Sequence, residues 1–356
     1  MKIQTQDKLK FAVVGCGHIG KRHAAMIQRN EECTLVALCD IKPREELQLD
    51  TFEAAFFTSI EELLAAPLQI DIVCICTPNA FHASQGILVL EAKKHLVCEK
   101  PMALSKADCE AMIFKALNVS KQVFCVMQNR YSPPAVWLKS IIDENRLGKT
   151  FMVQINCYWN RDDRYYLPHQ NATSPAEKRH AWHGSKALDG GTLFTQFSHF
   201  IDIMYWLFGD IQDVNAQLAD FAHQHSTDFE DSGIVNFKFV NGGMGSINYS
   251  TAAWDANLES SITIIGEKGS IKVGGQYMNE VEYCHIKDYE FPELPASGPA
   301  NDYGGYKGSA ANHHHIIQNV VDVLKGRKTV TTNALEGLKV VEIIERIYRK
   351  ARWIES

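Results

Sequence analysis

The chain has 356 residues, a formal net charge of −6 at pH 7, 46% hydrophobic and 22% charged residues. That length exceeds one ordinary core and predicts two domains of a globular protein; the acidic balance argues against nucleic-acid partners, and no apolar run is long enough to span a bilayer. Ten cysteines without paired spacing read as reduced core residues rather than disulfides or metal ligands, and the start carries no signal-like segment, so the expected location is the cytoplasm.

Residues 11–14 form an apolar run suited to a buried strand. Gly15, Gly17 and Gly20 follow as G-x-G-x-x-G, ahead of a helical pattern through Ile19, His23, Met26 and Ile27. Glycines at this spacing permit a tight turn, approach of bare backbone to a pyrophosphate, and close helix–strand packing, while the helix start offers N–H groups to phosphate. Gly15, Gly17, His18, Ile19 and Gly20 are the cofactor contacts expected here. A second apolar run, Cys33–Cys39, ends in Asp40, where a carboxylate can accept from adenosine ribose hydroxyls and repel a 2′-phosphate. NAD is therefore expected over NADP, with Lys42 and Arg44 nearby as the opposing signal.

A weak strand near Phe56 precedes the capping box Ser59-Ile-Glu-Glu62. Residues 71–76 are a continuous apolar strand; Pro78 stops it and Asn79 opens a helix reaching Lys94. The strand His95–Cys98 ends in Glu99-Lys100-Pro101, which puts Lys100 on the ligand side of the sheet, although a surface lysine beside a loop proline fits the same residues. Ser105 and Asp108 cap another helix, and 122–127 is a sixth strand. This rhythm predicts right-handed crossovers, hence an α/β domain over 1–128 with a doubly wound parallel Rossmann sheet and ligands at the strand carboxyl ends.

From there the pattern changes. A helix over 133–148 leads to long alternating strands at 150–160, 214–221, 232–240, 244–253, 258–266 and 270–274, with turns at Asn241-Gly242-Gly243 and Glu267-Lys268-Gly269. We read 129–356 as an α+β domain built on a large, mainly antiparallel sheet, open on one face and suited there to a homodimer or homotetramer. Two helices near 313–324 and 334–349 complete the chain, with the option of packing back on the first domain. His313-His314-His315 opens a helix and reads as neither a tag nor a metal site.

Residues 189–209 form a helix bounded by glycines. Thr192, Thr195, Gln196, His199 and Asp202 make a polar stripe on it, either a buried hydrogen-bond network or the wall of an active site. His199 alone on that stripe has an ordinary pKa near neutrality. Tyr158-Trp159-Asn160-Arg161, and then Arg164, Lys178, Arg179, Trp182, His183 and Lys186, concentrate bases and aromatics suited to a sugar or base bearing phosphates.

The first-strand G-x-G-x-x-G, Thr77-Pro78-Asn79 with His82, Glu99-Lys100-Pro101, and a Gly-Gly helix carrying His199 and Asp202 together resemble the glucose–fructose oxidoreductase/inositol dehydrogenase/MocA family over nearly the whole chain. Within it the chain looks most like the UDP-N-acetylglucosaminuronate 3-dehydrogenases, on Gln128-Asn129-Arg130-Tyr131, Trp159-x-Arg161, Trp182-x-Gly184, Asp189-Gly190-Gly191 and Gln196-x-Ser198-His199. The resemblance implies NAD as cofactor, oligomers through the open sheet face, and oxidation of a sugar or nucleotide-sugar 3-hydroxyl to a ketone by Lys100 and His199. It puts Thr77, Asn79, His82, Glu99, Lys100 and Gln128 near the cofactor, with Glu99 either touching it or orienting Lys100. Around the substrate it puts Lys100, Arg130, Tyr131, Trp159, Arg161, Trp182, His183, Thr195, Gln196 and His199, and it implies no metal. Thr195 departs from the pattern, since many members have Asp there and the subgroup often Asn; the loop over 165–178 is longer than usual. The competing readings are a dehydrogenase of another sugar or an inositol-like polyol, an NAD-dependent glycosidase, and a non-catalytic NAD sensor.

Overall fold

The computed structural model describes residues 8–167, 182–304 and 306–354. They fall into two compact units, Met1–Val126 with His313–Val341, and Met127–Asn312 with Glu342–Ser356. Among the described residues no helix is long and apolar enough to cross a membrane.

The first unit holds a six-stranded sheet in the order β3-β2-β1-β4-β5-β6: β1 (Leu9–Val14), β2 (Cys33–Cys39), β3 (Ala55–Phe57), β4 (Ile72–Ile75), β5 (His95–Cys98) and β6 (Val123–Cys125). Every neighbouring pair is parallel. This order is that of a Rossmann sheet, reversing direction between β1 and β4. β4 is buried along its whole length, as expected of a strand covered on both faces by helices. The helices are α1 (His18–Arg29), α2 (Ile60–Ala65), α3 (His82–Glu91) and α4 (Lys106–Asn118). Ser59 and Ser105 cap α2 and α4 by accepting from the Glu62 and Asp108 amides at 3.2 and 3.1 Å. Two elements are shorter than the sequence pattern suggested. Asn79–Phe81 is a 3-10 turn before α3, which stops at Glu91, with Lys93 turning the chain at φ +56°. The sixth strand ends at Cys125 because Gln128–Tyr131 forms another 3-10 turn.

Helix α7 (His313–Leu324) packs on α1 in the same unit. Asn30 Nδ2 donates to Gln318 Oε1 at 3.0 Å, and Glu32 pairs with Lys325 and Arg327, each at 2.6 Å. Those two cations hold the Glu32 carboxyl down at about 2.

The second unit is built on eight strands in the order β13-β12-β11-β7-β10-β9-β8-β16. These are β7 (Thr150–Tyr158), β8 (Ile211–Ala219), β9 (Ser232–Phe239), β10 (Met244–Ser250), β11 (Glu259–Gly266), β12 (Gly269–Gly274), β13 (Glu280–Ile286) and β16 (Ala351–Trp353). A small hairpin, β14 (Ala300–Asp302) with β15 (Lys307–Ala310), stands apart. The sheet is mixed: β7 runs parallel to β10, and β8 to β16, while the other pairs are antiparallel. Helix α5 (Pro133–Asp143) ends earlier than the sequence pattern suggested, and Asn145 (φ +52°) and Gly148 (φ +65°) take the chain into β7.

Alternation decides the sheet's faces. Val153, Ile155, Val235, Phe237, Ile247 and Tyr249 point inward, whereas Gln154, Ile234, Asn236 and Lys238 point outward, Ile234 being 54% exposed. Helix α6 (Ser198–Phe208) covers the inner face: Phe197, just ahead of it, packs on Tyr249 at 5.7 Å, and Phe208 on Phe239 at 5.3 Å between ring centres.

Candidate active site

The nucleotide cradle occupies the carboxyl ends of β1, β2, β4 and β5. Gly15 turns the chain at φ +86°, and a Cβ there would lie 2.7 Å from the Cys76 carbonyl group; one at Gly20 would lie 1.8 Å from the Gly15 oxygen. Both glycines are thus required by close packing of strand, turn and helix. Gly17 is different, with nothing within 4 Å of where its Cβ would be. It precedes α1, whose first N–H groups have no side-chain cap. Exposed backbone donors at a helix start, beside an open glycine, fit a pyrophosphate. His18 is exposed and Ile19 half-buried at that helix start.

Asp40 stands just past β2, with one oxygen accepting from the Cys16 amide at 2.6 Å and the other from the Lys42 amide at 2.9 Å. The carboxylate is thereby aimed at the rim of the glycine turn. Arg44 sends its guanidinium to the carbonyls of Ala54, Leu49 and Phe52 at 2.8, 3.3 and 2.6 Å. It is engaged there, which removes the strongest sequence argument for a 2′-phosphate.

On the other side of the sheet's midpoint, Thr77 Oγ1 donates to Gln85 Oε1 at 2.6 Å, and Asn79 is buried. His82 spans two loops, its Nδ1 lying 2.7 Å from the Pro101 carbonyl and its Nε2 2.8 Å from that of Thr77. Burial pushes this imidazole below its ordinary pKa against the pull of both carbonyls. With its ring nitrogens so occupied, His82 fastens the loops after β4 and β5 rather than reaching a ligand. Lys100 follows β5, half-buried, and its peptide bond to Pro101 is cis. The Glu99 carboxylate turns inward to His23 at 2.9 Å and accepts from the Lys100 amide at 3.1 Å, in line with the expectation that it orients Lys100.

In the second unit the predicted polar stripe is buried throughout: Thr192, Thr195, Gln196, His199 and Asp202 are each at most 7% exposed. It is not one regular helix. A single turn, Lys186–Asp189, ends in Gly190 (φ +90°) and Gly191 (φ +123°), and a π-helical turn, Leu193–Phe197, then runs into α6. The wider turn rotates Thr195 and Gln196 out of α register with His199, and such turns recur at functional sites.

Three of the stripe residues have named side-chain partners. Thr195 Oγ1 donates to Asp189 Oδ1 at 2.6 Å, and the other Asp189 oxygen accepts from the Gly184 amide at 2.7 Å. A carboxylate therefore does reach this turn of the helix, supplied by Asp189 through the Thr195 hydroxyl. Gln196 Nε2 donates to Tyr165 Oη at 2.8 Å, and its oxygen accepts from Arg161 Nε at 2.8 Å. Asp202 holds Arg130 in a bidentate pair at 2.6 and 2.8 Å, with the guanidinium 5.1 Å from the Trp206 ring centre.

These contacts correct several expectations. Arg130 and Arg161 are fully buried framework cations, not exposed anion receptors. Arg161 is bonded to Gln196, Asn160 O, Asn257 and Lys307 O and lies between the Trp159 and Tyr306 rings at 4.6 and 4.9 Å. Trp159 is core, donating to Ser260 Oγ at 2.8 Å. Gln128 is buried, its carbonyl accepting from Asn312 Nδ2 at 3.3 Å. Tyr131, Trp182 and His183 stay partly exposed; His183 stacks between Trp182 and Tyr165 at 4.0 and 4.3 Å. Lys178 and Arg179 lie outside the described residues.

Sequence reasoning missed Asp189 as a site residue, although its place before Gly-Gly was a visible signal. It also missed the anchor beneath that turn. Tyr348 Oη accepts from the Leu193 amide at 3.0 Å and donates to Glu230 Oε1 at 2.6 Å, and Tyr249 donates to the same oxygen at 3.0 Å. Burial pushes the Glu230 carboxyl up to about 7 despite those hydroxyls.

Two family models match this chain. Residues 9–127 match an oxidoreductase family with an NAD-binding Rossmann fold, and 136–272 match the GFO/IDH/MocA C-terminal domain. The structure is similar to the WlbA dehydrogenase from Bordetella pertussis, solved with NADH and UDP-GlcNAcA, at 31% identity, 96% coverage of each chain and a TM-score of 0.83. This chain belongs to the GFO/IDH/MocA family. The WlbA dehydrogenase from Chromobacterium violaceum, also solved with NADH and UDP-GlcNAcA, is 32% identical, with 97% of this chain and 94% of that one covered and a TM-score of 0.83. Among curated relatives of the family, the 1-carboxy-3-chloro-3,4-dihydroxycyclohexa-1,5-diene dehydrogenase of Comamonas testosteroni is 29% identical over 68% of this chain. The match spans 58% of that relative's length. Membership makes the first unit an oxidoreductase's NAD-binding fold, and the open Gly17, the uncapped α1 and the placement of Asp40 fit that cofactor.

Proposed function

We propose that this protein is an NAD-dependent dehydrogenase oxidising a sugar secondary alcohol to a ketone, and that its substrate is a UDP-N-acetylhexosaminuronate reacting at the 3-hydroxyl. The supporting observation is end-to-end similarity, above 30% identity, to two dehydrogenases solved with NADH and UDP-GlcNAcA. When bound, NAD supplies the hydride acceptor.

The chain's own residues supply binding and proton transfer. Gly15, Gly17, Gly20 and the start of α1 hold the pyrophosphate, and Asp40 holds the adenosine ribose. His199 takes the hydroxyl proton, and Lys100 stabilises developing negative charge. Asp189, through Thr195, braces the turn that leads into the His199 helix. Tyr131, Trp182 and His183 keep accessible surface for the sugar nucleotide. The outward face of the eight-stranded sheet serves a homodimer or homotetramer.

A thermal-shift screen of UDP-sugars in the presence of NAD tests the substrate; selective stabilisation by a UDP-hexuronate is expected. Indifference to every nucleotide sugar, with a response to a cyclic polyol, would replace it with the polyol reading, to which the named diol dehydrogenase relative points. The pH–rate profiles of Lys100→Met and His199→Asn test the proton-transfer roles, and wild-type turnover in both would refute them.

A further inference from the structure

The first unit buries a trio that the proposed chemistry does not use. His23 on α1, Glu99 at the end of β5 and His313 at the start of α7 bring their ligating atoms within 4.8 Å of one another, all away from solvent. The His23 and His313 rings meet edge to face at 5.4 Å. Glu99 Oε1 lies 2.9 Å from His23 Nε2 and 3.5 Å from His313 Nε2, while Glu99 Oε2 accepts from the Lys100 amide at 3.1 Å. A carboxylate that takes both imidazoles on one oxygen has the other left to fix the backbone of the next residue. That residue is Lys100.

We propose that His23 and His313 are positioning residues for Lys100, acting through the Glu99 carboxylate that His23 holds by a hydrogen bond and His313 faces at 3.5 Å. This rests on the reading of Lys100 given above. An ionised carboxylate only accepts, so the His23 nitrogen facing it at 2.9 Å is the donor, while His313 Nε2 stands 3.5 Å from the same oxygen. Burial pushes the Glu99 carboxyl up, but the His23 and His313 imidazoles facing it outweigh that and hold the group well below the usual carboxylate range. Burial keeps the His313 imidazole below its ordinary value, against the pull of the Glu99 carboxylate. The network needs two distant parts of the chain. α7 lies more than 200 residues beyond β5 in sequence, yet it brings a second imidazole to 3.5 Å from the carboxylate beside the lysine. His313 opens the run of three histidines, and its two neighbours play no part in the trio.

The test uses the full-length protein and His313→Leu, His313→Asn and Glu99→Gln. Nitrogen-15 NMR of the histidines is expected to show a proton on the His23 Nε2 that faces Glu99. The Lys100 amide resonance is expected to move in His313→Leu and Glu99→Gln, with His313→Asn close to wild type because it keeps an N–H donor. With UDP-N-acetylglucosaminuronate and NAD, His313→Leu should lower kcat by about tenfold while NADH affinity, read by its fluorescence, stays within about twofold. An unmoved Lys100 amide in His313→Leu would overturn the proposal. So would equal losses in the Leu and Asn variants, or zinc co-purifying with the trio. If Lys100→Met turns over normally while the NMR result holds, the reading of the lysine has failed and the brace itself has not.

Discussion

Replacing Asp202 with alanine isolates a fully buried ion pair in the second unit. Both side chains of the Arg130–Asp202 pair are 1% exposed, and two bonds of 2.6 and 2.8 Å join them. Asp202→Ala leaves the guanidinium buried without its bidentate carboxylate, a change that costs about 3–5 kcal/mol. Each kcal/mol moves the midpoint of a domain of this size by about 2–4 °C, so the variant's Tm should fall by about 6–20 °C. Denaturant unfolding followed by tryptophan emission measures it, since Trp206 and Trp159 report on this unit. The double variant Arg130→Met/Asp202→Leu should recover most of the loss, because apolar groups of similar volume carry no desolvation penalty. A single-variant cost below about 1 kcal/mol, or a double variant no better than the single, would refute the reasoning.

Asp40→Ala removes a ribose acceptor whose charge-assisted bonds are worth about 1.5–3 kcal/mol each, so the NADH Kd, by fluorescence titration, should rise by about 10- to 100-fold and NADP discrimination should weaken. Glu230 is protonated more readily folded than unfolded, so stability falls as pH rises from about 4.5 to about 7 and is flat above; the full penalty is about 3 kcal/mol. Glu230→Gln should flatten the wild-type Tm decline across that window, and parallel curves would disprove the assignment. Ile234→Arg places a charge on the outward sheet face; sedimentation velocity should show smaller assemblies than wild type, and an unchanged profile would remove that face from the interface.

Local signals made the first unit almost entirely legible. Phe11 to Val14 could be nothing but a buried strand, Gly15 and Gly20 stand where a side chain would strike backbone, and Ser59 and Ser105 announced their helices. What escaped depended on partners remote in sequence. β16 is three residues long and exists because β8 offers it an edge, and β13 is mostly exposed, so its alternation carries little apolar signal. Arg130 and Arg161 looked like surface receptors because a buried guanidinium and an exposed one have the same letter; only Asp202, Gln196 and the Trp159 ring show which they are. The π turn at Leu193–Phe197 follows from what Asp189, Arg161 and Tyr348 demand of it, which spacing of three and four cannot express.

Tyr348 lies 155 residues downstream of the Leu193 amide it receives. Through most of synthesis, therefore, the entrance to the His199 helix lacks its floor, and Glu230 lacks one of the two hydroxyls that accommodate it. A chain cut before that tyrosine could fold its nucleotide cradle from segments already made and still present an unfinished imidazole wall, binding NADH while failing to turn over.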